Sequence, residues 1–145
     1  MRPTTIPSMM QTLAINANKK NQNVKLFDIS RNYKNTEGQV EKGEVPVQEN
    51  ILTIGMYGDD VDFYTVKGLL ENILESIGVK RYDIEKETKN ESYHPGRCAN
   101  LKVGIDTIAT LGEVHPEVLD NYGIEKRAYL LEANITKLVK YSRNN

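Results

Sequence analysis

Two apolar runs, Leu101 to Ile105 and Ile108 to Val114, are separated by nothing but Asp106-Thr107. A link that short can join strands only as antiparallel neighbours, because a parallel return needs a crossover of a dozen or more residues. The pair suits a tight hairpin at Asp106-Thr107, although glycine is the stronger residue at the second turn position. The rest of the chain must fit a sheet built around that hairpin. Val24 to Ile29 alternates and carries aromatic and branched residues, so it reads as a strand. Ile51 to Tyr57 reads as a second, Tyr82 to Glu87 as a weaker one, and Arg127 to Ala133 as the last.

Helical spacing fills the gaps between these runs. The prolines Pro3 and Pro7 suppress helix ahead of a stripe of Met9, Met10, Leu13, Ala14 and Ala17, which predicts a helix from near Pro7 to about Asn18. Phe63, Val66, Leu70, Ile73, Leu74 and Ile77 form the clearest stripe, with Gly78 placed as its C-terminal cap. Gly68 lies inside that helix at a cost of about 1 kcal/mol relative to alanine, which leads us to expect a close packing contact there. Pro116 suits a first helical residue, so a short helix is expected over Glu117 to Tyr122, stopped by Gly123. Ile135, Leu138, Val139 and Tyr141 belong to a final short helix. The polar stretch from Asn35 to Asn50 reads as a surface loop. These elements predict one α+β domain over residues 1–145, with a largely antiparallel sheet flanked by helices.

Composition narrows the function. The formal net charge is −1 with acids and bases interleaved, so the chain as a whole has no field for nonspecific nucleic-acid or membrane binding. Cys98 is the only cysteine, which excludes an internal disulfide framework and fits a reducing cytoplasmic compartment. The apolar runs are only a few residues long, far short of a membrane span.

His94, Cys98 and His115 raise the question of a metal site or a Cys-His nucleophile. A structural zinc normally takes four ligands, whereas this set supplies three without paired spacing. The expectation is therefore structural: His94-Pro95-Gly96 as a rigid turn before a strand, with a positive φ at the glycine, and His115 as the end of a strand that orients the helix from Pro116. Asp59, Asp60 and Asp62 precede a helix but lack the glycine and distal glutamate of a calcium loop, so they read as capping residues. No Gly-rich phosphate loop, nucleophile elbow or zinc-protease helix is present. The residues alone thus reach an α+β domain without a self-contained active site.

Three segments together resemble one family. Arg2-Pro3-Thr4-Thr5-Ile6-Pro7, with the helix and the Leu26-Phe27-Asp28-Ile29 run that follow, is similar to the opening of this region in phenylalanyl-tRNA synthetase beta subunits. Asp62-Phe63-Tyr64-Thr65-Val66-Lys67-Gly68 resembles that family's Asp-Phe-x-x-Leu-Lys-Gly helix start. His94-Pro95-Gly96-Arg97-Cys98-Ala99, followed by Gly112-Glu113-Val114-His115-Pro116, resembles its His-Pro-Gly-Arg-x-Ala and Gly-Glu-[Leu/Ile]-His-Pro motifs. The resemblance covers nearly the whole chain in order.

It implies a class II aminoacyl-tRNA synthetase-like antiparallel sheet that has lost its catalytic residues and, here, lacks the motif 1-like helix and strand upstream of Arg2. Phosphate-gripping arginines are missing: the first strand offers Lys25 and Asp28, with Arg31 just beyond it, and the late-strand stretch Ala128 to Asn134 has neither glycine nor arginine but carries Glu132. Arg2, Pro3, Pro7, His94, Pro95, Gly96, Arg97, Gly112, Glu113, His115 and Pro116 are accordingly expected to be structural, with no catalytic, cofactor or metal residue. The implied role is assembly beside the catalytic alpha subunit and the remainder of the beta subunit, in the cytoplasm and away from any membrane. ATP, magnesium and tRNA belong to the whole synthetase only, and the chain reads as a piece of a longer one. An ATP- or phenylalanine-binding activating domain and a stand-alone interaction module are the alternatives. The methionine-rich first helix is a candidate for an exposed partner surface, with ordinary core as its other reading.

Overall fold

The computed structural model describes residues 6–19, 23–33 and 48–142. In chain order the elements are α1 (Ile6–Asn18), β1 (Val24–Tyr33), β2 (Gln48–Tyr57), α2 (Phe63–Ile77), β3 (Asp83–Lys86), β4 (Tyr93–Val103), β5 (Asp106–Val114), α3 (Pro116–Asn121), β6 (Ala128–Asn134) and α4 (Ile135–Ser142). The six strands form one sheet in the order β1-β2-β6-β5-β4-β3, every neighbouring pair antiparallel. The α+β class and the antiparallel sheet expected from the sequence are therefore present.

Alternation along the strands divides the apolar residues between two faces. On one face Ile54, Met56, Ala99, Leu101, Leu111 and Leu131 pack under Val66, Leu70 and Leu74 of α2 and Leu138 of α4. On the other, Tyr57, Tyr93, Cys98, Val114 and Leu130 pack with Met9, Met10 and Leu13 of α1 and Leu119 of α3. Met9 and Met10 are buried, so the first helix is core and does not form an exposed methionine surface. It lies so close to β2 that a Cβ on Gly55 would stand 2.7 Å from the Met9 side chain.

Several boundaries move for physical reasons. The hairpin between β4 and β5 turns at Gly104-Ile105 and not at Asp106-Thr107: Gly104 adopts φ 64°, which a glycine supplies without strain, and Asp106 pairs with Val103 inside the ladder. β1 runs on to Tyr33 and β2 starts at Gln48, because ladder pairing from Ser30↔Ile51 to Tyr33↔Gln48 outweighs the polar composition there. Most of the expected loop, 34–47, lies outside the described residues. Gly68 has nothing within 4 Å of where a Cβ would stand, so it marks no packing contact. Asp62 caps α2 as expected, its carboxylate accepting the Thr65 amide while the Thr65 hydroxyl accepts the Asp62 amide, and Gly78 closes the helix in the left-handed region.

Candidate functional site

The two histidine motifs meet at one end of the sheet. β4 and β5 pair at Tyr93↔Val114 and again at Cys98↔Gly112, so His94, Pro95, Gly96 and Arg97 stand opposite the single residue Glu113. His94-Pro95-Gly96 is thus a bulge inside β4 and not a turn ahead of a strand; proline fits there because a bulged residue needs no ladder donor. The His94 Nδ1 accepts the Gly96 amide at 3.1 Å. Gly96 has no positive φ, and a Cβ on it would meet only the His94 ring at 3.6 Å. The glycine this geometry requires is Gly112. A Cβ there would lie 2.5 Å from the Arg97 carbonyl oxygen, 2.9 Å from the Cys98 Cα and 3.1 Å from the Tyr93 ring.

Glu113, 3% exposed, lies at the centre of the arrangement. The Arg97 Nη1 donates to both of its carboxylate oxygens at 3.0 Å and the Tyr129 hydroxyl donates to Oε1 at 3.1 Å. Burial first, and the bond to Glu113 second, push the Tyr129 pKa above the ordinary phenol range. An isolated carboxylate in this position would cost several kcal/mol, and three donated hydrogen bonds offset that. His115 caps α3: its Nδ1 accepts the Glu117 amide at 3.1 Å, its own amide donates to the Ser92 carbonyl at 3.0 Å, and Pro116 follows as the first helical residue. Around these groups is a cleft of about 700 Å3 lined by His94, Arg97, Glu113, Pro116, Asp120 and Arg127 among others.

The sequence motifs are therefore brought together, in a bulge at His94-Pro95-Gly96, a clamp of Arg97 on Glu113 and a helix cap at His115. Cys98 is buried and desolvation pushes its thiol up to about 12, so it is held as a thiol and not as a nucleophilic thiolate. Among the described residues no group of three or more His, Cys, Asp or Glu is placed to hold a metal ion. Pro7 lies in the first turn of α1, and Arg2 and Pro3 lie outside the described residues.

Two further features appear only in the register. Asp28, Thr53, Glu132, Thr110, Asn100 and Glu85 are successive cross-strand partners, giving a polar row across the sheet on the α1 face. Within it the Thr110 hydroxyl donates to Asn100, and the Asn100 amide donates to Glu87, both at 2.8 Å. The row holds three carboxylates and no cation; Arg31 lies inside β1, and by alternation it belongs to the opposite face. On that opposite face, at the edge of the sheet, Phe27 is 64% exposed and Ile29 66%, beside their partners Ile54 and Leu52. Sequence alternation places these two on a strand, but nothing local reveals that β1 is an edge strand with no outer neighbour among the described residues.

The sequence profile of the phenylalanyl tRNA synthetase beta chain CLM domain matches residues 1–135. The chain is similar to the phenylalanine–tRNA ligase beta subunit of Clostridium acetobutylicum, with 41% identity over 140 residues, covering 97% of this chain and 17% of that protein. The corresponding beta subunits of Clostridium tetani and Fusobacterium nucleatum are 39% and 33% identical, again over 97% of this chain, and 17% and 19% of their own lengths are covered. The chain thus spans less than a fifth of the length of these relatives. In fold it is similar to the crystal structure of pyrrolysyl-tRNA synthetase from Desulfitobacterium hafniense, with a TM-score of 0.72 at 12% identity, covering all of this chain and 50% of that one.

Proposed function

The chain belongs to the phenylalanyl tRNA synthetase beta chain CLM domain family, and from that premise we propose that it is a non-catalytic assembly domain working in the cytoplasm. It supports a catalytic alpha subunit and the rest of a beta subunit during ATP-dependent charging of tRNA with phenylalanine. The observation that carries this reading is the edge of the sheet. Phe27 and Ile29 expose large apolar side chains on one face of β1, a strand whose outer backbone groups no other described strand pairs. An uncovered strand edge bearing apolar side chains is the kind of surface that another element docks on.

The polar row supports the non-catalytic half of the proposal. Phosphate binding needs fixed cationic donors, and the row itself supplies none: Asp28 and Glu132 bring negative charge to it, and Glu85 is paired with Lys102 at 3.0 Å. ATP and magnesium then belong to the rest of the synthetase, and His94, Gly112, Glu113 and His115 serve the fold. The test is assembly of the full-length beta subunit with its alpha subunit, measured by sedimentation, for the natural chain and a Phe27→Ser/Ile29→Ser variant. Both substitutions are at exposed positions, so folding should persist while assembly weakens at least tenfold. Unchanged assembly, or saturable ATP binding by this chain in calorimetry, would overturn the reading.

A further inference from the structure

On the face that carries α2, the first turn of that helix, the end of β3 and the bulge of β4 enclose a recess of about 350 Å3. Its lining holds two aromatic rings, Phe63 and Tyr64, and three cations, Lys67, Lys86 and Arg97, with no carboxylate. The rings meet edge to face, their centroids 5.9 Å apart at 87°, yet Tyr64 is 74% exposed, so core packing does not account for it. Neither Lys67 nor Lys86 has an ion-pair partner among the described residues. Of the carboxylates close in sequence, Asp62 accepts from the Thr65 amide and hydroxyl, Glu85 is paired with Lys102 at 3.0 Å, and Glu87 accepts from the Lys89 amide and the Asn100 side chain at 2.8 Å. Arg97 is already held by Glu113 on the neighbouring cleft, so the charge left unneutralised in the recess is that of Lys67 and Lys86.

We infer that this recess binds one nucleotide of a single-stranded RNA, with the base against the Tyr64 ring and the phosphate between Lys67 and Lys86 at the rim that Arg97 shares. Exposed aromatics interleaved with cations are what a single strand requires, since every base has a stackable face and every phosphate a charge. The volume is at the low end for small-ligand pockets, which suits a single nucleotide. An acidic peptide would satisfy the lysines but leave the Tyr64 face without a partner. The whole-chain charge of −1 is no obstacle, because affinity here rests on a few local contacts and not on a long-range field. This site is separate from the β1 edge and does not depend on the assembly proposal.

The experiment is fluorescence anisotropy of a short labelled oligoadenylate titrated with the full chain, with adenosine monophosphate and an oligoglutamate as competitors. Tyr64→Ala should weaken binding about tenfold, since base–aromatic stacking is worth roughly 1–3 kcal/mol. The plot of log K against log salt should have a slope of about −1.4 for two lysine–phosphate contacts, at about −0.7 each, and should flatten toward zero in Lys67→Ala/Lys86→Ala. Lys80→Ala, a control at an exposed position outside the recess, should change nothing. Circular dichroism checks that each variant is folded. Monophosphate competing as well as the oligonucleotide would still support the recess, with a free nucleotide as the source of the same chemistry. No oligonucleotide binding, equal losses in Tyr64→Ala and Lys80→Ala, or displacement by oligoglutamate as strong as by unlabelled oligonucleotide would each overturn the inference.

Discussion

Gly112→Ala should be strongly destabilising for a single-carbon change, because the space it would fill is bounded by backbone. The added Cβ would stand 2.5 Å from the Arg97 carbonyl oxygen and 2.9 Å from the Cys98 Cα, and both neighbours are backbone. No side-chain rotation relieves that contact, so β4 has to move away from β5 beside the bulge that already interrupts their pairing between Tyr93 and Cys98. Overpacking of this kind costs about 1–3 kcal/mol, and the immobility of the neighbours puts Gly112→Ala at about 2–3 kcal/mol. The unfolding entropy of about 2.1 cal/mol/K per residue is about 0.3 kcal/mol/K for this chain, so Tm should fall by about 7–10 °C. Gly96→Ala and Gly68→Ala are the controls. The first adds an ordinary 3.6 Å contact with the His94 ring and should leave Tm within about 2 °C, a surface-sized effect of roughly 0.5 kcal/mol. The second adds a helix-favouring methyl in open space and should raise Tm by about 3 °C, for a propensity gain of about 1 kcal/mol. Scanning calorimetry of the three variants decides the matter. A Gly112→Ala protein melting with the natural one, or Gly96→Ala falling just as far, would refute the steric reasoning.

Asp62 gives a pH signature. Hydrogen bonds from the Thr65 amide and then its hydroxyl hold the Asp62 pKa below the usual carboxylate range; with the folded value depressed, the contribution is full above the ordinary pKa of about 4 and is lost as pH falls through the depressed value. The Tm gap between the natural protein and Asp62→Ala should therefore be constant from neutral pH to about 5 and close below about 4, and a gap that widens on acidification would contradict the capping geometry. Cys98, its thiol pushed up to about 12 by burial and then by the Glu87 charge, should react with a thiol reagent at pH 8 about a thousandfold more slowly than a thiol of pKa 9, with full reactivity regained in denaturant; rapid modification of the folded chain would show that the β4 bulge opens.

What the sequence made legible follows from how locally each feature is encoded. The α2 stripe, its Asp62 and Gly78 caps and the Pro116 start of α3 depend on residues within a turn of each other, and the structure has them at the expected places. The strands after Val24 and before Tyr57 are legible in their apolar centres only, because their polar ends from Ser30 to Tyr33 and from Gln48 to Asn50 are held by pairing with each other. The Gly104 hairpin was obscured by Ile105, which is 98% exposed and is a turn residue despite its apolar side chain. The candidate site was legible as a set of motif residues but not as a geometry. Four residues opposite one shift the register between Tyr93 and Cys98, and no period-2 count survives that shift. Tyr129, which completes the Glu113 clamp, carries no sequence signal for the role, since an aromatic in a strand ordinarily reads as core.

The bulge also explains why a carboxylate can be buried at Glu113. In regular pairing the residue opposite it would be held at a fixed height in the ladder; the extra residues of His94-Pro95-Gly96 let β4 arch outward and bring Arg97 back with its carbonyl against Gly112 and its Nη1 on the carboxylate. Because the Arg97 side chain stays 45% exposed while that of Glu113 is 4% exposed, only one partner is strongly desolvated. The pair therefore escapes much of the penalty of a fully buried ion pair, while still leaving a large cost if the partner is removed. The consequence is specificity of register. Sliding β4 by one residue against β5 would draw Arg97 off Glu113 and drive a side-chain-bearing residue into the space that only Gly112 leaves open, so wrong pairings are opposed by charge and by sterics together. The same arch carries Arg97 to the border between the His94 cleft and the Tyr64 recess. Any ligand that takes up the Arg97 guanidinium on the recess side must therefore compete with, or share, the hold of Glu113, and this ties occupancy of the recess to the register of the hairpin beneath it.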